Sequence, residues 1–138
     1  MPGEIPKTLF VAWGTSGVAY YRCFLPALVL GAEYVASNGE PGKDLVLGTG
    51  FGARVLQVED FYDYEVVVLQ QPRGVGWLRL IRDLQAAGVR VLFEIDDYIQ
   101  SARKIKTHEL SEMYDAEFVE KMEMAMRVTD GIICSTPY

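Results

Sequence analysis

Half of the 138 residues are hydrophobic and 23% are charged, which suits one domain with a sizeable core and argues against disorder. The net charge of −6 argues against a nonspecific nucleic-acid or anionic-membrane surface, because such surfaces need a basic footprint. The first residues, Met1 to Lys7, lack the basic start and long apolar core of a signal peptide. Thr8-Leu-Phe-Val-Ala-Trp13 reads as a first, central strand. Gly14-Thr-Ser-Gly17 follows, and then a helix from about Val18 to Leu30, with Pro26 placed to kink or interrupt it. The apolar run Phe24 to Ala32 contains that proline and is too short to span a bilayer. In a strand, glycine-rich turn and helix, the helix N-terminal amides can face an anion. The turn lacks the full GxGxxG fingerprint and the Walker lysine, so a tight connection without a ligand is an equal reading. Arg22 suits a carboxylate or a phosphate, or pairs with one of the chain's own acids.

Residues 31–60 carry weaker signals. Ala32 to Ser37 and Asp44 to Leu47 read as short strands around the turn Asn38-Gly-Glu-Pro-Gly42. Gly48-Thr-Gly-Phe-Gly52 reads as an ordinary surface loop in preference to a second phosphate loop, because no helix clearly follows it. Tyr64 to Gln70 has the composition of a buried strand, and Gln71-Pro72-Arg73-Gly74 leaves its carboxyl end. Trp77, Leu80, Ile81, Leu84 and Ala87 fall at helical spacing, with Gly88 as the stop.

Arg90-Val-Leu-Phe-Glu-Ile-Asp-Asp-Tyr98 begins as a buried strand and ends in acid. Ligands of open parallel sheets bind beyond the carboxyl ends of the strands, where Asp96 and Asp97 sit. Glu94 and Asp96 point to one side, and Asp97 to the other. A charge at Glu94, inside an apolar strand, needs a partner or a wet crevice. The plainer reading of the two aspartates is that they cap the next turn or helix. Arg103-Lys-Ile-Lys106 and His108, the single histidine, read as solvated loop. Asp115 to Val128 reads as an amphipathic helix, with Phe118, Val119, Met122, Ala125 and Met126 on one face, and Gly131 to Ser135 is a last strand. Cys23 and Cys134 lie in different elements with no CxxC or Cys/His spacing, which speaks against structural zinc and for a reduced, cytoplasmic protein. Asp-Asp without DxD spacing gives little reason to expect any other metal. The alternation predicts a three-layer α/β sandwich with a mostly parallel sheet, in which strands near Leu9–Trp13, Val66–Leu69, Val91–Ile95 and Ile132–Cys134 are central. An α/β domain that stops at Thr136-Pro-Tyr138, on a strand edge, reads as one lobe of a longer protein.

In this order, Gly14 to Arg22 with Pro26, Glu65 to Pro72, Leu84 to Asp97 and Asp130 to Thr136 resemble the N-terminal Rossmann-like lobe of GT-B glycosyltransferases of the family 4-like kind. Residues 32–60 match poorly. The resemblance implies sugar transfer from a nucleotide-sugar donor to an acceptor hydroxyl, with no other cofactor. It further implies that residues 1–138 form the acceptor-side lobe and that a C-terminal donor-binding lobe is missing. Donor phosphates would then lie at Gly14, Ser16, Gly17 and Arg22, and the acceptor at Gln71, Arg73, Glu94 and Asp97. Asp96 stands where that family often has the histidine of a His-Asp pair, which makes it the candidate catalytic residue. Two other classes stay open, a non-catalytic Rossmann-like binding or assembly module and a phosphoacceptor receiver domain. The receiver needs acids after the first strand, and Trp13-Gly-Thr-Ser16 supplies none.

Overall fold

The computed structural model describes residues 4–48, 55–95 and 116–134. Asp96, Asp97, Arg103 to Lys106, His108 and most of the 48–52 loop lie outside the described residues. The strands are β1 (Thr8–Trp13), β2 (Glu33–Asn38), β3 (Val46–Leu47), β4 (Val66–Gln70), β5 (Arg90–Ile95) and β6 (Gly131–Cys134). They form one Rossmann-like sheet of order β3-β2-β1-β4-β5-β6, parallel except for the β2–β3 pair. Between β1 and β4 the strand order reverses direction, which in such sheets is where neighbouring connections part and a crevice opens.

Alternation along the strands builds two apolar layers. Leu9, Val11, Val67, Leu69, Val91 and Phe93 face a core covered by α3 (Val75–Ala86) and α4 (Ala116–Val128). Trp77, Leu80, Ile81 and Leu84 supply the buried stripe of α3, and Val119, Met122 and Ala125 that of α4. Ala87, expected in the α3 stripe, is instead its exposed C-cap. A 3₁₀ helix over Val58–Asp63, closed by a capping box between Gln57 and Asp60, adds Phe61 to the same core. Full burial of side chains such as Phe93 or Leu69 is worth about 1.5–3 kcal/mol each.

The other face of the sheet, with Phe10, Ala12, Tyr34, Ala36 and Val68, is covered by the helical stretch that follows β1. That stretch has three parts: α1 (Gly17–Ala19), a π-helical turn over Tyr20–Phe24, and α2 (Leu25–Leu30). Pro26 explains the wide turn. A proline there has no N–H for the Arg22 carbonyl, and its ring would crowd that carbonyl in a regular helix. The chain responds by widening, and the Leu25 N–H reaches back five residues to the Tyr20 carbonyl. Gly31 ends α2 in the left-handed region, φ 69°, and the Ala32 N–H bonds the Ala27 carbonyl at 2.8 Å.

One expectation is corrected. β6 forms the end of the sheet rather than a central strand, and Ile132 and Ile133 are 48% and 38% exposed. Its apolar composition reads like a buried strand, but only one neighbour, β5, pairs with it among the described residues.

Candidate functional site at the carboxyl ends of the strands

Where β1 and β4 part, side chains take over from the sheet ladder. The Trp13 N–H donates to Gln70 Oε1 at 2.7 Å, so an amide side chain bridges the opening. On the other side of β1, the Gly14 N–H donates to the Ser37 carbonyl at 2.8 Å and the Ser37 hydroxyl to the Ala12 carbonyl at 2.6 Å. Gly14 has φ 68°, a value that favours glycine in so tight an exit from the strand.

Gln70 and Glu94 are cross-strand partners, on the face covered by the π turn. Glu94 is buried, 1% exposed, and receives the Arg22 guanidinium through Nε and Nη2. Arg22 Nη2 also reaches the Ile95 carbonyl at 3.5 Å. Glu94 therefore has the partner its position demanded, and that partner is one of the two alternatives foreseen for Arg22. The arginine side chain is 24% exposed, so its outer edge still meets the surface. Beside it, Gln71 holds φ 45°, the one left-handed non-glycine among the described residues. Its N–H donates to the Glu94 carbonyl at 2.9 Å, which ties the exit of β4 to β5.

Trp13 and Arg73 lie on the opposite face. The Arg73 guanidinium stacks over the Trp13 ring at 4.3 Å. Together they line a cavity of about 440 Å³ with Glu40, Asp44, Glu117 and Lys121. Glu117 and Lys121 form an ion pair at 2.9 Å, one turn apart on α4. Glu40 caps the start of α3, accepting the Gly76 N–H at 2.6 Å, and that hydrogen bond holds its carboxyl below the usual carboxylate range. The turn that carries it is closed by Asp44 Oδ1, which accepts the Glu40 N–H at 3.0 Å. Gly74 and Gly76 make this docking sterically open, since a Cβ on Gly76 would collide with the Pro41 carbonyl.

The predicted residues thus divide. Arg22 and Glu94 meet each other, and the Gln71 backbone joins them. Arg73 belongs to the cavity on the other face. Ser16 caps α1 through its hydroxyl, which accepts the Ala19 N–H at 3.3 Å, and a Cβ on Gly17 would meet nothing within 4 Å. Asp96 and Asp97 lie outside the described residues. The sequence reading missed Trp13, Glu40, Asp44, Glu117 and Lys121 as cavity residues. Glu40 stood inside turn chemistry that explained itself, and Trp13 looked like the end of a buried strand. The separation in sequence of Glu40 from α3 left no local signal for their contact.

Chemically, the crevice combines an aromatic face, a guanidinium and several carboxylates. That combination can bind a polar, hydroxyl-rich molecule by stacking and by charge-assisted hydrogen bonds. A scan against family models and comparisons with curated proteins and with solved structures found no match to this chain.

Proposed function

We propose that this chain is the acceptor-side lobe of a two-lobe glycosyltransferase that moves a sugar from a nucleotide-sugar to an acceptor hydroxyl. The observation that carries the reading is the crevice at the reversal of strand order, where Trp13, Arg73 and the Gly14–Gly17 turn leave the carboxyl ends of β1 and β4. Ligands of open α/β sheets occupy that place. A stacked tryptophan–arginine pair flanked by carboxylates suits a saccharide better than a flat apolar ligand. In this reading Gln71, Arg73, Glu94 and Asp97 belong to the acceptor side. Gly14, Ser16, Gly17 and Arg22 form the edge nearest the donor phosphates, and Asp96, next in sequence after β5, orients or deprotonates the acceptor hydroxyl. The donor itself belongs to a second lobe.

Calorimetric titration tests the division of labour. The 138-residue chain should bind nucleotide-sugars weakly or not at all, and micromolar binding would refute the assignment of the donor to a second lobe. In the complete two-lobe protein, Asp96→Asn should lower turnover on the order of 10²–10⁴-fold with little change in donor affinity. Normal turnover with a lowered melting temperature would make Asp96 a structural cap. Failure of the complete protein to release a nucleoside diphosphate from any nucleotide-sugar would favour the second reading, a binding or assembly module. The closed Arg22–Glu94 pair, which already satisfies the arginine from within, is the observation on that side.

A further inference from the structure

We propose that a second cavity, beside the first, holds the adjoining sugar unit of the acceptor, so that the acceptor is an oligosaccharide rather than a single sugar. The inference rests on the reading of this chain as an acceptor-side lobe and names the class of acceptor. The second cavity, about 480 Å³, lies between the turn that carries Glu40, the start of α3 and the 3₁₀ helix. Glu40 lines both cavities and stands at their common wall. The period of α3 builds one side of the new cavity. Val75, Arg79 and Asp83 follow at four-residue spacing, on a different face from the core stripe of Trp77, Ile81 and Leu84. Tyr62, 42% exposed, lines it from the 3₁₀ helix.

The two cavities repeat one set of groups. The first offers a tryptophan ring, an arginine and carboxylates, and the second a tyrosine ring, an arginine and carboxylates. In the first, the chain itself engages part of the set, through the Arg73–Trp13 stack and the Glu117–Lys121 pair. In the second, the side chains of Glu59, Tyr62, Arg79 and Asp83 make no hydrogen bond or ion pair among the described residues. Arg79 and Asp83 stay apart although one helical turn separates them. Repeated recognition suits a repeated ligand. A sugar ring can lie on an aromatic face while its hydroxyls meet an arginine and a carboxylate, and both cavities supply those partners. Glu40, Glu59 and Asp83 outnumber Lys43 and Arg79 in the second cavity, which favours a neutral unit over an anionic one. A linear chain running from one cavity to the other passes Glu40. That carboxylate accepts the Gly76 N–H through Oε1 and meets Lys43 through Oε2 at 3.2 Å. A carboxylate has about four acceptor positions, so hydroxyls of both units can still donate to it.

The test uses the 138-residue chain with an array of single sugars and their linear oligomers, followed by titration of the bound compounds in solution by amide NMR. An oligosaccharide should bind at least about tenfold more tightly than its monosaccharide. It should shift the amides of Gly42 and Gly76 at the second cavity together with those of Gly39 and Gly74 at the first. Tyr62→Ala and Arg79→Ala should each erase most of that gain. Arg82→Ala, which removes the same charge from an exposed site on α3 outside the cavity, should keep it. Circular dichroism establishes that each variant is folded. A monosaccharide that binds as tightly as its oligomers overturns this inference alone, as does an oligosaccharide gain that survives both Tyr62→Ala and Arg79→Ala. A chain that binds no saccharide on the array overturns the acceptor-lobe reading, and this inference with it.

Discussion

Arg22→Met should cost this protein about 3–5 kcal/mol of folding stability, because it removes the guanidinium from a carboxylate that stays buried. The asymmetry of exposure sets the size of the effect. Glu94 is 1% exposed, whereas Arg22 is 24% exposed and can turn outward. Glu94→Gln should accordingly cost less, about 1–2 kcal/mol, since it leaves a neutral amide inside and a cation that can reach solvent. The double variant Arg22→Met/Glu94→Leu should cost less than the sum of the two single changes at those sites. A coupling energy of about 2–3 kcal/mol is expected for a direct buried contact. Against a total stability of about 5–15 kcal/mol for a domain this size, each of these shifts is measurable. Urea denaturation of the parent, Arg22→Met, Glu94→Leu and the double variant, followed by circular dichroism, closes the cycle. A loss below about 1 kcal/mol for Arg22→Met, or additivity within about 0.5 kcal/mol, would refute the view that this pair is an internal, mutually dependent unit.

Burial, with the Cys23 thiol nearby, pushes the Tyr34 hydroxyl up to about 12, so the fold prefers its neutral form. Its contribution is fully present below pH ~10 and is lost as pH rises toward ~12, by up to about 2–3 kcal/mol. Tyr34→Phe should remove that alkaline loss in denaturation series from pH 8 to 12. It should be nearly neutral at pH 7, because the buried hydroxyl has no hydrogen-bond partner among the described residues. Glu40→Gln should lower the melting temperature through a weaker cap on α3, worth about 1 kcal/mol. The lowered carboxyl of Glu40 stabilises above the ordinary carboxylate range and less as pH falls through it, so the variant should lose that part of the acid sensitivity. Gly76→Ala should cost about 1–3 kcal/mol in thermal melts, because its Cβ meets the Pro41 backbone rather than a movable side chain. Gln71→Gly should raise stability by up to about 1 kcal/mol by relieving φ 45°, and unchanged melting would show that the turn holds no strain.

The central sheet could be read from the sequence because β1, β4 and β5 are continuous apolar runs flanked by turn signals, and α3 and α4 repeat with a helical period. Those signals are local. β2 and β3 were harder, since Asn38 reads as the first residue of a turn, yet it still pairs with Val46 in the ladder. The edge position of β6 could not be read, because Gly-Ile-Ile-Cys has the same composition whether one neighbour or two pair with it. In the site, Glu94 announced itself as a charge in an apolar strand, and its need for a partner followed from desolvation alone. Which partner it found depended on the wide turn that brings Arg22 inward, a consequence of Pro26 four residues later. The Glu40 contact rests on a close approach between segments far apart in sequence, for which composition has no signature.

The π turn has a consequence for chain length. Each residue added to or removed from a helix shifts the azimuth of everything beyond it by about 100°. Ser16 fixes the phase at one end of the stretch and Gly31 at the other, with the extra residue of the wide turn making the two phases compatible. Deleting one residue between them would restore an ordinary helix at the expense of swinging Arg22 off Glu94 or Ala27 off the sheet. Insertions and deletions are normally tolerated at the surface and excluded from cores. Here a surface helix has a fixed count of residues, and an unequal-length homologue would have to lose Pro26 and the buried ion pair together.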